Sequence, residues 1–177
     1  KRVTNKSEIE TFISKNPYLE NFCRFMAIKK ANNDKLWQEW EHENYNDDDF
    51  FMWKFIQYEF FNEWLEIKKY ANEKGIQIIG DMPIYVALDS VDVWVNPHLF
   101  KLDENYLPKK VAGVPPDYFS KTGQLWGNPV YDYSVHEKEN FRWWTKRIKK
   151  VLNIYDYVRI DHFRGFAGYY SIPYGHD

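Results

Sequence analysis

Arg159 and Asp161 lie two residues apart in the run Tyr157-Val158-Arg159-Ile160-Asp161. In an extended strand, side chains two apart face the same way. A guanidinium at that range favours the ionised carboxylate, which suits Asp161 to act as a nucleophile and not as a proton donor. His162 and Arg164 follow at once and add donors at the same rim, a density of polar groups that points to a site. A second carboxylate, Asp81, closes the apolar run Ile76-Gln77-Ile78-Ile79-Gly80. Parallel α/β architectures collect reactive groups at the carboxyl ends of their strands. Taken alone, each Asp could equally cap the turn that follows it.

The elements that must position these groups are legible as periodicities. Trp53, Ile56, Phe60, Trp64, Ile67 and Ala71 recur at steps of three and four, with Gly75 as the stop, and predict a long amphipathic helix. The β-branched run from Ile76 then predicts a buried strand ending in Asp81. Phe141, Trp144, Ile148, Val151 and Leu152 predict a second helix, with Asn153 as its cap, and the Tyr157–Asp161 strand follows. Between the two pairs runs a long loop rich in Pro and aromatic residues. Helix, strand, loop, helix, strand is the alternation of an α/β fold with a parallel sheet. Upstream, residues 7–41 predict short helices broken at Pro17.

Two charge clusters have plainer readings. Asp47-Asp48-Asp49 lacks the alternating ligands and central Gly of a calcium loop and reads as solvated acids at a helix N-terminus. Arg142, Lys146, Arg147, Lys149 and Lys150 read as the solvated outer face of the second helix.

Composition narrows the function classes. In 177 residues, 24 Lys and Arg against 26 Asp and Glu leave a net charge of -2, which gives no reason to expect nucleic acid as a partner. The single cysteine, Cys23, excludes a disulfide framework and a cysteine-based zinc site, and fits a reducing cytoplasm. No metal or cofactor is expected. Charged residues interrupt every apolar stretch, so neither a membrane span nor a signal peptide is expected. Trp 8, Tyr 14 and Phe 13 reach 20% of the chain, which excludes disorder and leaves aromatics beyond the needs of a core. Trp53, Phe60, Trp64, Phe141 and Trp144, on helix stripes, are expected in the core.

Three stretches, in order, carry a resemblance. They are Gly80-Asp81-Met82-Pro83-Ile84-Tyr85-Val86 with Asp89-Ser90 and Asp92-Val93-Trp94; Gly113-Val114-Pro115-Pro116-Asp117-Tyr118-Phe119-Ser120 with Thr122 through Pro129; and Val158-Arg159-Ile160-Asp161-His162-Phe163-Arg164-Gly165-Phe166. Together they resemble the 4-α-glucanotransferases, or amylomaltases, of glycoside hydrolase family 77. The resemblance spans residues 75–175, whereas residues 1–74 match in helical and aromatic character only.

The resemblance implies a TIM (β/α)8 barrel with helical insertions. Ile76–Asp81 would be its third strand and Tyr157–Asp161 its fourth. Residues 1–49 would form a helical insertion and residues 50–177 part of the barrel. A whole barrel needs roughly 200 to 250 residues, so this chain is expected to be a piece of the enzyme. By position, Asp161 resembles the nucleophile, Arg159 the arginine that holds it and Asp81 a supporting acid. His162 resembles a donor to the sugar at the cleaved bond, and Arg164 is placed with it as a substrate contact. Tyr118 and Phe119 resemble a mobile aromatic loop, with Asp117, Gln124 and Trp126 lining the cleft. The acid/base Glu would come from a later strand. The implied substrates are maltooligosaccharides and other α-1,4-glucans. An α-amylase-like hydrolase shares the strand-end nucleophile but not the Gly-Val-Pro-Pro-Asp-Tyr-Phe loop. A non-catalytic glucan-binding module would not need Arg159 and Asp161.

Overall fold

The computed structural model describes residues 5–176 and divides into two compact units between Ile76 and Gln77. Lys1 to Thr4, at the start of the expected 1–49 insertion, and Asp177, at the end of the expected 50–177 portion, lie outside the described residues.

Among the described residues the first unit holds three α-helices, α1 (Lys6–Lys15), α2 (Pro17–Ala31) and α3 (Asp47–Glu73), with a 3-10 turn at Trp37–Glu39. Each start has a local cause. Asn5 accepts a hydrogen bond from Ser7 N at the head of α1, and Pro17, which has no N–H to leave unpaired, opens α2. Asn46 caps α3, and Asp47, Asp48 and Asp49 fill its first turn, where their charge complements the helix dipole. Both ladder bonds of a Schellman motif end α3: Ile76 N donates to Ala71 O, and Gly75 N to Asn72 O, with Gly75 at φ +75°. Ile9, Ile13, Leu19, Cys23 and Tyr58 form the core, with Phe12, Phe22, Trp53 and Phe61 packed against it. Burial pushes the Cys23 thiol up to about 12, which makes it an inert packing group. Phe60 departs from its expected core place. It is half-exposed and stacks on Trp64 at 6.4 Å, one turn away on the outer side.

The second unit carries two sheets. Strands β1 (Ile79–Met82) and β4 (Tyr157–Ile160) pair in parallel. Strands β2 (Lys110–Val114), β3 (Gln124–Pro129) and β5 (Tyr170–Pro173) form an antiparallel sheet in the order β3-β2-β5. Helices α4 (Val91–Val95), α5 (Tyr133–Lys138) and α6 (Arg142–Ile154) complete the unit, and α6 packs on β1 and β4. Gly80 is required in β1, since a Cβ there would overlap the Tyr155 ring.

Several boundaries differ from the sequence reading. The first strand begins at Ile79 rather than Ile76, because Ile76 N is used in closing α3. The Ile78 carbonyl meanwhile takes Asp156 N and Tyr157 N just ahead of the ladder. Asn153 is not a cap; it lies inside the last turn of α6, which Tyr155 ends in extended conformation. Phe141 enters α6 in the left-handed region and stays half-exposed, so it is not core. The segment expected to be one long loop holds β2 and β3. Arg147 is not on a solvated face: it donates to Pro83 O at 2.7 Å and Ile84 O at 3.2 Å and lies over Trp143 and Trp144. Half-buried Lys150 is drawn down to about 8 by desolvation, whereas Arg142, Lys146 and Lys149 are exposed as expected.

Tyr131, fully buried, is the centre of this unit. Its hydroxyl donates to Ile84 O at 2.7 Å, and its ring touches Phe100, Trp143, Trp144, His136 and Tyr85 at centroid distances of 5.0 to 5.9 Å. Aromatic contacts of this kind each add about 0.5–1.5 kcal/mol beyond their buried area. Arg147 and Tyr131 thus meet at the Ile84 carbonyl and together hold the loop after β1.

Candidate active site

The parallel register sets Asp81 directly opposite Arg159, and Asp161 follows two residues further on the same face. Arg159 Nη1 donates to Asp81 Oδ2 at 3.2 Å, and Nη2 donates to Asp161 Oδ1 at 2.6 Å. One planar guanidinium therefore fixes two carboxylates at the ends of neighbouring strands, a geometry its rigid fork suits. All three side chains are about 60% exposed, by 60% for Arg159, 59% for Asp81 and 64% for Asp161. At that exposure an ion pair contributes only about 0–1 kcal/mol to folding, so the fork acts on orientation far more than on stability. Asp161 Oδ2 makes no hydrogen bond among the described residues and stays available on the open face.

His162 turns the chain out of β4. It has φ 49° and ψ 43°, a left-handed conformation uncommon outside glycine, and leads into a 3-10 turn, Phe163–Phe166. Its imidazole meets the edge of Trp126 at 5.0 Å and 82°. Trp126 Nε1 in turn donates to Gln124 Oε1 at 2.9 Å, which joins β3 to the cluster. Asp81, Arg159 and Asp161 are thus gathered by the fork, and His162, Trp126 and Gln124 by a neighbouring chain of contacts.

The other expected residues stand apart from these contacts. Tyr118 and Phe119 are 98% and 89% exposed at the tip of the β2–β3 hairpin, edge to face with each other at 5.9 Å. Asp117 Oδ1 accepts from Phe119 N and Ser120 N at 2.9 and 2.8 Å, so one of its oxygens shapes the hairpin tip. Arg164 is exposed on the 3-10 turn. Tyr85 was not singled out by sequence, yet its ring lies against both Trp126, at 5.9 Å, and His162, at 6.4 Å. Its sequence signals are its place in the Gly80–Val86 stretch and its position four residues after a strand-end Asp, in a loop begun by Pro83. No group of three or more His, Cys, Asp or Glu is placed to hold a metal among the described residues. No helix there is long and apolar enough to cross a membrane.

Paired carboxylates at parallel strand ends, beside flat aromatic faces, are the parts of a carbohydrate-active α/β site. Comparison with known proteins gives the family. The family model described as 4-alpha-glucanotransferase, glycoside hydrolase family 77, matches residues 1–177, and the chain belongs to that family. A 4-alpha-glucanotransferase of Aquifex aeolicus is 46% identical across 96% of this chain, and one of Clostridium butyricum is 52% identical across 89%. The chain spans 38% and 35% of the lengths of these two relatives. The amylomaltase of Streptococcus agalactiae, solved in complex with acarbose, superposes with a TM-score of 0.91 at 43% identity, covering 97% of this chain and 37% of that one. The amylomaltase of Corynebacterium glutamicum, at 19% identity and a TM-score of 0.75, shares the fold.

Proposed function

We propose that the full-length protein is a 4-α-glucanotransferase that moves α-1,4-glucan segments between maltooligosaccharides by a retaining double displacement. The observation that carries this is the single Arg159 guanidinium bonded to both Asp81 and Asp161, with Asp161 Oδ2 left open. Family membership and the likeness to the Streptococcus agalactiae amylomaltase solved in complex with acarbose support it.

In the first step Asp161 attacks the anomeric carbon and displaces the leaving sugar, giving a covalent glucosyl ester. A general acid must protonate the departing oxygen, with its carboxyl about 5–5.5 Å from that of Asp161, as retention requires. Asp81 is committed to Arg159 and does not serve. A Glu from another strand of the full-length protein fills this role in our reading. In the second step the 4-hydroxyl of an acceptor glucan attacks the ester and regenerates Asp161. Transfer outruns hydrolysis only if a sugar rather than water occupies the acceptor site. Tyr118, Phe119 and Trp126 supply flat faces for sugar C–H groups, while His162, Arg164, Gln124 and Asp117 supply polar partners for hydroxyls.

The same reading places β1 and β4 in a (β/α)8 barrel, with the N-terminal helices as an insertion. Ile79 and Tyr157 are 69% and 52% exposed on the face that carries Asp81 and Arg159. Further strands would cover that face, in keeping with a chain that spans little more than a third of its relatives. The test is incubation of the full-length protein with maltotriose. Glucose together with longer maltooligosaccharides is expected, and hydrolysis products alone would overturn the transferase reading.

A further inference from the structure

We propose that Tyr85 is a positioning residue of this site, its ring acting as the shared underside that holds His162 and Trp126 in place for the glucan. The inference rests on the transferase reading given above and names a residue to which that reading assigns no role.

Tyr85 is 6% exposed, so it does not reach a bound sugar. Its ring contacts connect the buried aromatic centre to the surface groups. It stacks on Tyr131 at 5.9 Å and 13°, meets Tyr169 edge-on at 6.5 Å, and presents its other contacts to Trp126 and His162. The loop that carries it is anchored at Pro83 and Ile84 by Arg147 and Tyr131. His162 depends on such support. Its backbone is in a sparsely populated region, its imidazole makes no hydrogen bond among the described residues, and ring contacts alone orient it.

Gly165 shows how closely the three groups converge. A Cβ there would lie 2.6 Å from Ile84 Cδ1, 3.2 Å from His162 Cδ2 and 3.5 Å from Tyr85 Oη. Among the described residues Tyr85 Oη makes no hydrogen bond, whereas the ring meets Trp126, Tyr131, His162 and Tyr169, so the ring is what this position supplies.

Maltotriose transfer by the full-length protein carrying Tyr85→Phe, Tyr85→Leu, His162→Ala and the Tyr85→Leu/His162→Ala pair tests this. Tyr85→Phe is expected to keep kcat within about twofold, because it retains the ring, whereas Tyr85→Leu loses about 10- to 100-fold, the scale of a small misplacement of a binding group. In the His162→Ala background the same Tyr85→Leu change is expected to cost at least about threefold less than in the wild type, since one of the two rings it acts through is gone and only Trp126 remains. Equal losses in both backgrounds, or a Tyr85→Phe loss as large as that of Tyr85→Leu, would overturn the proposal. Tyr85→Met takes the place of Tyr85→Leu should the latter not unfold cooperatively. Nuclear Overhauser contacts between the His162 and Trp126 rings, which meet at 5.0 Å, read the same geometry without substrate. They are expected to be lost in Tyr85→Leu and kept in Tyr85→Phe, and contacts unchanged in Tyr85→Leu contradict the proposal. If the protein does not act on maltotriose, the transferase reading fails and these contacts alone decide the role of Tyr85.

Discussion

Arg159 Nη2 donates to Asp161 Oδ1 at 2.6 Å across a two-residue step on one strand face, and leaves Asp161 Oδ2 without a hydrogen bond among the described residues. The bond fixes the carboxylate by one oxygen and presents the other. The second arm of the same guanidinium reaches Asp81 on the neighbouring strand, so the position of Asp161 is tied to the β1–β4 register as well as to its own backbone.

That geometry separates Arg159→Lys from a conservative change. A single ammonium keeps the charge but not the planar fork, and cannot hold both carboxylates in one plane. Because all three groups are well exposed, the thermal midpoint is expected to stay nearly unchanged, while kcat for maltotriose transfer by the full-length protein falls about 10- to 100-fold. Steady-state kinetics beside a melting curve reads both quantities. Equal loss of activity and stability would show that the fork is chiefly a folding device.

Tyr118 and Phe119 make the opposite kind of prediction. At 98% and 89% exposure they contribute almost nothing to the fold, so alanine at either position is expected to move stability by no more than about 0.5 kcal/mol. The partition between products is expected to respond instead. If these rings wall the acceptor site as proposed, their removal lets water compete better and the ratio of hydrolysis to transfer rises, which product analysis on maltotriose measures. An unchanged ratio would remove these rings from the acceptor site.

His136 gives the second unit a pH dependence. It is 1% exposed beneath Tyr131, Trp143 and Trp144, and burial lowers its pKa, with the Leu99 carbonyl and Glu139 opposing weakly. A base whose folded pKa is depressed takes up its proton more readily when unfolded. Its contribution is therefore complete above the ordinary histidine value of about 6.5 and is lost as pH falls below it. Melting curves from pH 7.5 to 5 are expected to fall more steeply for the wild type than for His136→Phe. Parallel curves would assign the acid sensitivity elsewhere.

How much of this was legible in the sequence follows from how local each signal is. The Arg159–Asp161 pair could be read because a strand's alternation is a two-residue property. The α3 helix and its Gly75 stop could be read because helix periodicity and caps are equally local, but its buried face could not: Ile56, Phe60 and Ile67 of the predicted stripe are exposed, and Lys54 and Tyr58 are buried instead. That Arg159 also reaches Asp81 depends on inter-strand register, which no local pattern contains. The β3-β2-β5 sheet was hidden for a related reason: β5 lies far along the chain from β2, and Pro- and Gly-rich stretches around β2 and β3 read as loop. Tyr85 and Arg147 were missed because their roles come from what folds onto them. An aromatic in a loop and a cation on a helix look alike whether they face solvent or, as here, support the rings and carbonyls around a site.

The most direct test of the central claim is to trap the covalent intermediate and locate it. The full-length protein, reacted with a fluorinated α-glucosyl donor that forms the ester quickly and releases it slowly, is digested and its peptides sequenced by mass spectrometry. The account predicts a glucosyl adduct on the Asp161 carboxylate, and none when Asp161→Asn is treated in the same way. An adduct on Asp81 or another residue, or turnover retained in Asp161→Asn, would contradict it.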